Sequence, residues 1–140
     1  MDINQVRDMF RVGKISSVNA QNCTARVEFP DKDDSTGKSL VSQELPIIVI
    51  GSRGTKEYHL PEEQTQVLCL FLPNPSGYGM NDGYVIGCMY SDEDKPAESD
   101  KKVRSIRVPD GSYIRFDGNG TVEIHASSHL VLTAPRIDLN

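Results

Sequence analysis

The last third of the chain repeats a pair of apolar residues every eight positions. The two residues of each pair lie two apart, so both side chains face the same side of a strand. Turn-forming segments separate the pairs, at 109–111, 117–120 and 126–128. Evenly spaced strands of this kind are typical of a structural repeat. The eight apolar residues of the repeat are Ile106, Val108, Ile114, Phe116, Val122, Ile124, Leu130 and Leu132.

The other face of the same strands is polar or charged, with Val131 as the apolar exception. A strand with one apolar face needs a second layer to cover that face. Two arrangements satisfy this need. The ribbon packs on the preceding domain as a sheet layer, or three copies wind round a shared axis with their apolar faces inward. We favour the trimer, with the eight residues of the repeat as its core, because winding also closes the sheet edges.

The first ninety residues contain five predicted strands and almost no helix signal. These strands cover residues 10–20, 23–29, 40–50, 67–72 and 83–90. Gly13 predicts a bulge or bend in the first strand, and Pro46 predicts an interruption of the third. Residues 1–9 form either one short amphipathic turn or a flexible arm. Five short strands in this length favour a small closed barrel of the OB type.

Charge separates the chain into three parts. Residues 92–104 are highly charged and include a proline, so we interpret them as a linker. This divides the chain into an OB-fold domain at 1–91 and a β-helical spike repeat at 105–140. The net charge is −5 and no part is basic, which argues against a nucleic-acid partner.

Three cysteines, Cys23, Cys69 and Cys88, lie inside apolar runs. Their spacing matches neither a zinc site nor a disulfide framework. We therefore expect reduced core residues in a protein made in a bacterial cytoplasm. The N-terminus lacks the basic and apolar regions of a signal peptide, and no apolar run approaches the length of a membrane span.

Candidate catalytic and metal-binding residues are few. His125 and His129 are the best metal candidates, but both have the parity of the polar face, so we expect solvated histidines. Glu62, Glu63 and the acids of 92–100 lie in predicted loops. A glycosidase needs two carboxylates held across a cleft, and no cleft-forming domain is predicted near these residues. We expect no catalytic residue, no metal and no cofactor, and hence a protein that is not an enzyme.

Three sequence blocks occur in a fixed order, at Tyr58–Pro61, Gln66–Leu72 and Gly83–Ser91. Together they resemble the phage baseplate assembly protein V family and the related OB modules of type VI secretion spike proteins. The strand that opens at Arg11 and the segment Leu45–Ile47 also match the pattern. The chain departs from it at Glu44, where the family often has tryptophan, and at 64–65, where it usually has a glycine-acid turn. The His-x-His iron site found at the apex of some members is absent.

This resemblance implies an all-β fold with two parts. The N-terminal part is a five-stranded OB-type barrel, and a short intertwined trimeric β-helix or β-prism needle follows. The implied function is structural: a homotrimeric central spike in the virion tail of a contractile phage, or in the baseplate of a phage-tail-like bacteriocin. Its OB end seats on the tail hub, and the needle pierces the target cell envelope when the sheath contracts. We favour a separate tip protein at the C-terminal end.

Two other functions stay open from the sequence. The first is a monomeric OB-fold module that binds an oligosaccharide or a single-stranded nucleic acid, with the ribbon as an extra sheet layer. The second is an effector-delivering secretion spike, which is disfavoured because the chain lacks the hub domains fused in that family.

Overall fold

The protein is described by a computed structural model that covers residues 2–32, 37–75 and 80–140. It is mostly β, with one seven-residue helix among the described residues, so the predicted all-β class is confirmed. The chain forms two compact units, unit 1 at Met1–Lys95 and unit 2 at Pro96–Asn140. The division falls inside the predicted linker at 92–104. In the described part of the chain, no helix is long and apolar enough to cross a membrane.

Unit 1 contains one helix followed by six strands, paired as one sheet in the order β3-β2-β1-β5-β6, with β4 on β2. All these strand pairs are antiparallel. Beyond β4, Ile47 forms a parallel bridge with Val85 of β6, and the Ile48 N–H donates to the Val85 carbonyl at 3.0 Å. The elements are α1 Ile3–Met9, β1 Phe10–Asn19, β2 Thr24–Lys32, β3 Ser39–Val41, β4 Leu45–Pro46, β5 Gln66–Pro73 and β6 Met80–Met89.

Helix α1 begins at a capping box. The Asp2 carboxylate accepts a hydrogen bond from the Asn4 N–H, and the Asp2 N–H donates to Gln5 Oε1 at 3.1 Å. These contacts satisfy two N–H groups that the first helical turn leaves unpaired. The helix contacts β5. Of the two expectations for residues 1–9, the helical turn is confirmed over Ile3–Met9, and residue 1 lies outside the described residues.

Gly13 permits a close backbone approach and does not mark the bulge. The register between β1 and β2 shifts between Ile15 and Ser17, while Gly13 pairs regularly with β5. A Cβ on Gly13 would lie 2.6 Å from Val27 Cγ1 and 2.7 Å from the Glu28 carbonyl oxygen. The predicted bulge at Gly13 is therefore wrong in position, because a strand glycine also occurs where another chain segment approaches closely.

The predicted third strand, 40–50, is broken into β3 and β4. The break falls at residues 42–44, before Pro46, and both pieces pair with β2. Ser42 connects the break to β2 through two hydrogen bonds. Its N–H donates to the Val27 carbonyl at 2.8 Å, and its hydroxyl accepts from the Val27 N–H at 2.9 Å. The interruption predicted at Pro46 is present, since the proline ends β4, and the break at 42–44 is a second one that the sequence analysis did not predict.

The core of unit 1 receives side chains from every strand except β3. In β5, Val67 and Cys69 are buried, whereas Leu68 and Leu70 are half-buried. A strand that is apolar on both faces therefore has one core face and one partly exposed face. The buried apolar residues are Ile15, Ala25, Val27, Phe29, Leu45, Val67, Cys69 and Val85.

Unit 2 contains a three-stranded antiparallel sheet in the order β7-β8-β9. Its strands are β7 Arg104–Arg107, β8 Tyr113–Phe116 and β9 Val122–His125. In the turn between β8 and β9, the Asp117 carboxylate accepts hydrogen bonds from the N–H groups of Asn119 at 2.7 Å and Thr121 at 3.0 Å. These bonds lower the pKa of Asp117. Among the described residues no strand follows β9, although the repeat predicts another near Leu130.

Candidate assembly surface

Five apolar residues of the repeat share one face of the β7-β8-β9 sheet, called here the apolar face, which also carries Arg104 opposite Phe116. Ile106 lies opposite Ile114, and Ile114 lies opposite Ile124. Phe116 lies opposite Val122. Directly opposed residues point to the same side of a sheet. Because the chain reverses at each turn, residues that lie opposite one another across this sheet are not separated by a constant eight positions in the sequence. The eight-residue spacing holds only along the sequence.

All eight apolar residues of the repeat are exposed. Their exposed fractions run from 40% at Ile114 to 62% at Ile106 and Leu132. Three of these residues lie outside the described strands: Val108 directly after β7, and Leu130 and Leu132 beyond β9. Covering eight half-exposed side chains contributes on the order of 10 kcal/mol per chain, at about 1.5–3 kcal/mol for each fully buried side chain.

The opposite face, the polar face, is held by ionic contacts around Glu98. Arg115 Nε donates to Glu98 Oε1 at 2.9 Å, and Arg115 Nη2 donates to Oε2 at 3.4 Å. Arg107 Nη2 donates to the same Oε1 at 2.7 Å. The hydrogen bonds from Arg115 first, and then from Arg107, hold the pKa of Glu98 below its ordinary value. Glu98 belongs to the predicted linker, and the structure ties it to the sheet.

Tyr113 extends this network across the polar face. The Arg107 guanidinium carbon lies 4.6 Å from the centre of the Tyr113 ring, a cation–π distance. The His125 ring stacks on the Tyr113 ring, with centroids 5.1 Å apart and planes at 19°. The Tyr113 hydroxyl donates to Glu123 Oε2 at 3.1 Å. His125 thus lies on the polar face against an aromatic partner, and His129 is exposed beyond β9.

Metal-binding side chains do not converge in the described residues. Within 2–32, 37–75 and 80–140, no three His, Cys, Asp or Glu residues lie close enough to hold a metal ion. Burial raises the pKa of the Cys69 thiol to about 11, against the opposing charge of Arg11, so the thiol stays protonated. Cys23 is half-buried and Cys88 is exposed. The expectation of three core cysteines is therefore wrong for Cys88.

Sequence reasoning missed the contacts of Glu98, although the sequence holds a signal for them. Arg107 and Arg115 are eight residues apart and share the parity of the polar face, so they repeat with the same period as the apolar pairs. Two cations on neighbouring strands need an anion close by. Only the folded chain shows which acid of 92–104 supplies it.

Comparison with known proteins gives no match: no protein-family model matches the chain, and no curated protein does. The resemblance to the phage baseplate family therefore rests on the sequence blocks alone. Two of these blocks largely coincide with β5 and β6. In the third block Pro61 is buried, and the Tyr58 hydroxyl donates to the Ala20 carbonyl at 2.9 Å.

Proposed function

We propose that this protein is the homotrimeric central spike of a contractile phage tail or of a phage-tail-like bacteriocin, with a structural role and no catalysis. The observation that carries the proposal is the uncovered apolar face of unit 2. The polar face of the same sheet already has its ionic and aromatic partners. Three copies with their apolar faces inward cover the side chains that one copy leaves in water.

A closed three-walled assembly also removes the edges of the sheet. In one copy β7 and β9 are edge strands, each with one side unpaired within the sheet. Exposed edges template pairing with other chains, and closure by identical copies satisfies them. The proposed needle is therefore an intertwined β-helix or β-prism built around Ile106, Ile114, Phe116 and Ile124, with the other repeat residues continuing its core.

Unit 1 supplies the proposed base of the spike as an OB-type barrel. The antiparallel pairings of β1 with β2 and β5, and of β5 with β6, agree with the strand order of such a barrel. The strands β4 and β6 belong to opposite margins of the sheet. The parallel bridge from Ile47 to Val85 joins these margins, which supports closure.

The proposed work of the spike is mechanical. The barrel end seats on the tail hub, a separate tip protein covers the needle end, and sheath contraction drives the assembly through the target envelope. The Glu98 contacts favour this role, because they tie Glu98 to Arg107 of β7 and Arg115 of β8 and so stiffen the base of the proposed needle.

The proposal is tested in the phage or bacterium that carries the gene. Phe116→Asp puts a charge on the apolar face, and we expect the titre of infective or bactericidal particles to fall at least about a hundredfold. The matched control is Ser105→Asp, which adds the same charge on the polar face opposite Arg115. Unchanged titre in the Phe116→Asp strain would contradict the spike function.

A further inference from the structure

The sheet of unit 1 carries apolar side chains on the side away from its core, called here the outer face. Val12 of β1 lies opposite Leu68 of β5. In the next row Phe10 lies opposite Leu70, which lies opposite Tyr84 of β6. All five alternate along their strands with residues of the core side, so their side chains share the outer face. Phe10 and Val12 are 53% and 44% exposed, and the other three are half-buried.

The chain leaves unit 1 at the margin of this outer face. Lys14 is the next residue after Val12 on this side of β1, and it lies opposite Gln66 of β5. Gln66 in turn lies opposite Met89, the last residue of β6. Lys14 Nζ donates to Glu93 Oε2 at 3.1 Å. The chain that follows β6 is therefore still at this margin when it reaches Glu93.

The connection from this margin to unit 2 is short. Glu98 accepts hydrogen bonds from Arg107 and Arg115 of the unit 2 sheet. Only four residues separate Glu98 from Glu93 in the sequence, so an extended chain between the two spans at most about 18 Å. In the proposed trimer the three unit 2 sheets share one axis. The margin of every outer face is then held within that reach of the same needle.

We infer that the outer face of unit 1 packs against unit 1 of a second copy of this chain. This inference rests on the proposed trimer and adds a second interface to it. The tether begins at the margin of the outer face, so the neighbouring copies are held beside that face. Exposed apolar side chains on a strand surface favour a protein partner over water.

The size of the outer face favours a tethered copy over a separate protein. Its five apolar residues are far fewer than the roughly 20 residues a side of a stable interface between separate proteins. A short connection raises the effective concentration of a second contact to about the millimolar range. A patch too small to hold a free partner is therefore sufficient between copies that the needle already joins.

The test is the dissociation of the full-length protein on dilution, followed by sedimentation velocity. Val12→Asp puts a carboxylate on the outer face, and we expect its trimer to half-dissociate at a concentration at least about tenfold higher than that of the wild type. The matched control is Ile50→Asp, because Ile50 is 89% exposed in a loop outside the outer face. It should change the half-dissociation concentration less than twofold. Phe10→Asp gives an independent reading should Val12→Asp melt early.

A second measurement does not require the trimer to dissociate on dilution. Hydroxyl radicals should oxidise Phe10 at least about threefold more slowly in the wild-type trimer than in single chains of Phe116→Asp. Tyr58 is 69% exposed and lies outside the outer face, so its oxidation rate should be the same in both proteins.

Two results would overturn the inference and leave the spike proposal standing. The first is a wild-type trimer that Val12→Asp weakens no more than Ile50→Asp does. The second is equal oxidation of Phe10 in trimer and single chains, which would leave this face for another partner such as the tail hub. A wild-type protein that is a single chain at all concentrations would contradict both proposals.

Discussion

Unit 1 has a buried apolar core, whereas unit 2 buries no apolar side chain among the described residues, although both units expose large apolar side chains. The eight core residues of unit 1 are at most 5% exposed, whereas the eight repeat residues of unit 2 are at least 40% exposed. In unit 2 the better-protected side chains are charged: those of Glu98 and Arg115 are 23% and 26% exposed. Large exposed apolar surfaces mark interaction sites. Unit 1 thus completes its own core, and we interpret unit 2 as one wall of a core that further copies complete.

The largest expected effect comes from a charge on the apolar face. Phe116→Asp should convert the proposed trimer to single chains, because it replaces a large apolar side chain of the proposed core with a carboxylate, a loss that Arg104 on the opposite strand offsets only in part. Sedimentation velocity measures the change. Ser105→Asp, on the polar face of the same sheet, should leave the sedimentation coefficient unchanged. A stable Phe116→Asp trimer would show that this face is not the interface.

Shortening a buried side chain in the core of unit 1 should lower the free energy of unfolding without changing the number of chains in the assembly. Ile15→Ala removes a side chain with no exposed surface and should lower the free energy of unfolding by about 2–5 kcal/mol. Val12→Ala, on the exposed side of the same strand, should cost less than about 1.5 kcal/mol. Urea unfolding of both variants measures the difference. Equal losses would contradict the assignment of the core to one face of β1.

Two glycines in the turn between β8 and β9 allow the cost of backbone strain to be measured separately from the cost of steric contact. Gly118 and Gly120 both have positive φ, +81° and +100°. A Cβ at Gly118 would lie 2.6 Å from Lys102 Cβ, whereas one at Gly120 meets open space. We expect Gly120→Ala to cost about 1 kcal/mol and Gly118→Ala about 2–4 kcal/mol in thermal unfolding. Equal costs would show that the approach of Lys102 is not tight.

The smallest effect concerns the pH dependence of unit 2. The hydrogen bonds from Arg115 and Arg107 lower the pKa of Glu98 in the folded protein. Glu98 therefore stabilises the fold above its unfolded pKa of about 4.3, and this contribution is lost as the pH falls through the lower folded value. Glu98→Gln should melt earlier than wild type at pH 7 and lose less stability between pH 7 and pH 3.

Asp110 and Asp117 have lowered pKa values for a different reason, hydrogen bonds within their turns, and they remain in the variant. Part of the acid sensitivity should therefore persist. Glu57→Gln, in an exposed loop of unit 1, serves as the control. Wild-type and Glu98→Gln melting curves that stay parallel over this pH range would rule out the proposed contribution.

The sequence predicted the strands well where apolar residues alternate between turn formers. All five strands predicted before residue 91 correspond to strands of unit 1, and the period of two placed Ala25, Val27 and Phe29 on one face of the second strand, where they are buried. Breaks were harder to place. The break at 42–44 depends on hydrogen bonds between Ser42 and Val27, fifteen residues away. Such a contact leaves no local pattern, whereas Pro46 correctly marked the end of β4.

The candidate surface was predictable in part. Parity alone placed Ile106, Ile114 and Phe116 on one face, because side chains alternate along any strand. The pairing of residues across the sheet was not predictable, since an eight-residue repeat fits both strands that wind round a shared axis and antiparallel strands of one sheet. The exposure of Cys88 and the contacts of Glu98 depend on how strands pair across the sheet.

The measurement that tests the central claim most directly is the mass of the intact protein in solution by light scattering coupled to size-exclusion chromatography. One chain has a mass of 15.5 kDa, so the proposed trimer gives about 46 kDa. That mass should persist on dilution, because the proposed trimer buries the apolar faces of all three chains in one core. A mass near 15.5 kDa at all concentrations would contradict the account and favour a single-chain binding module.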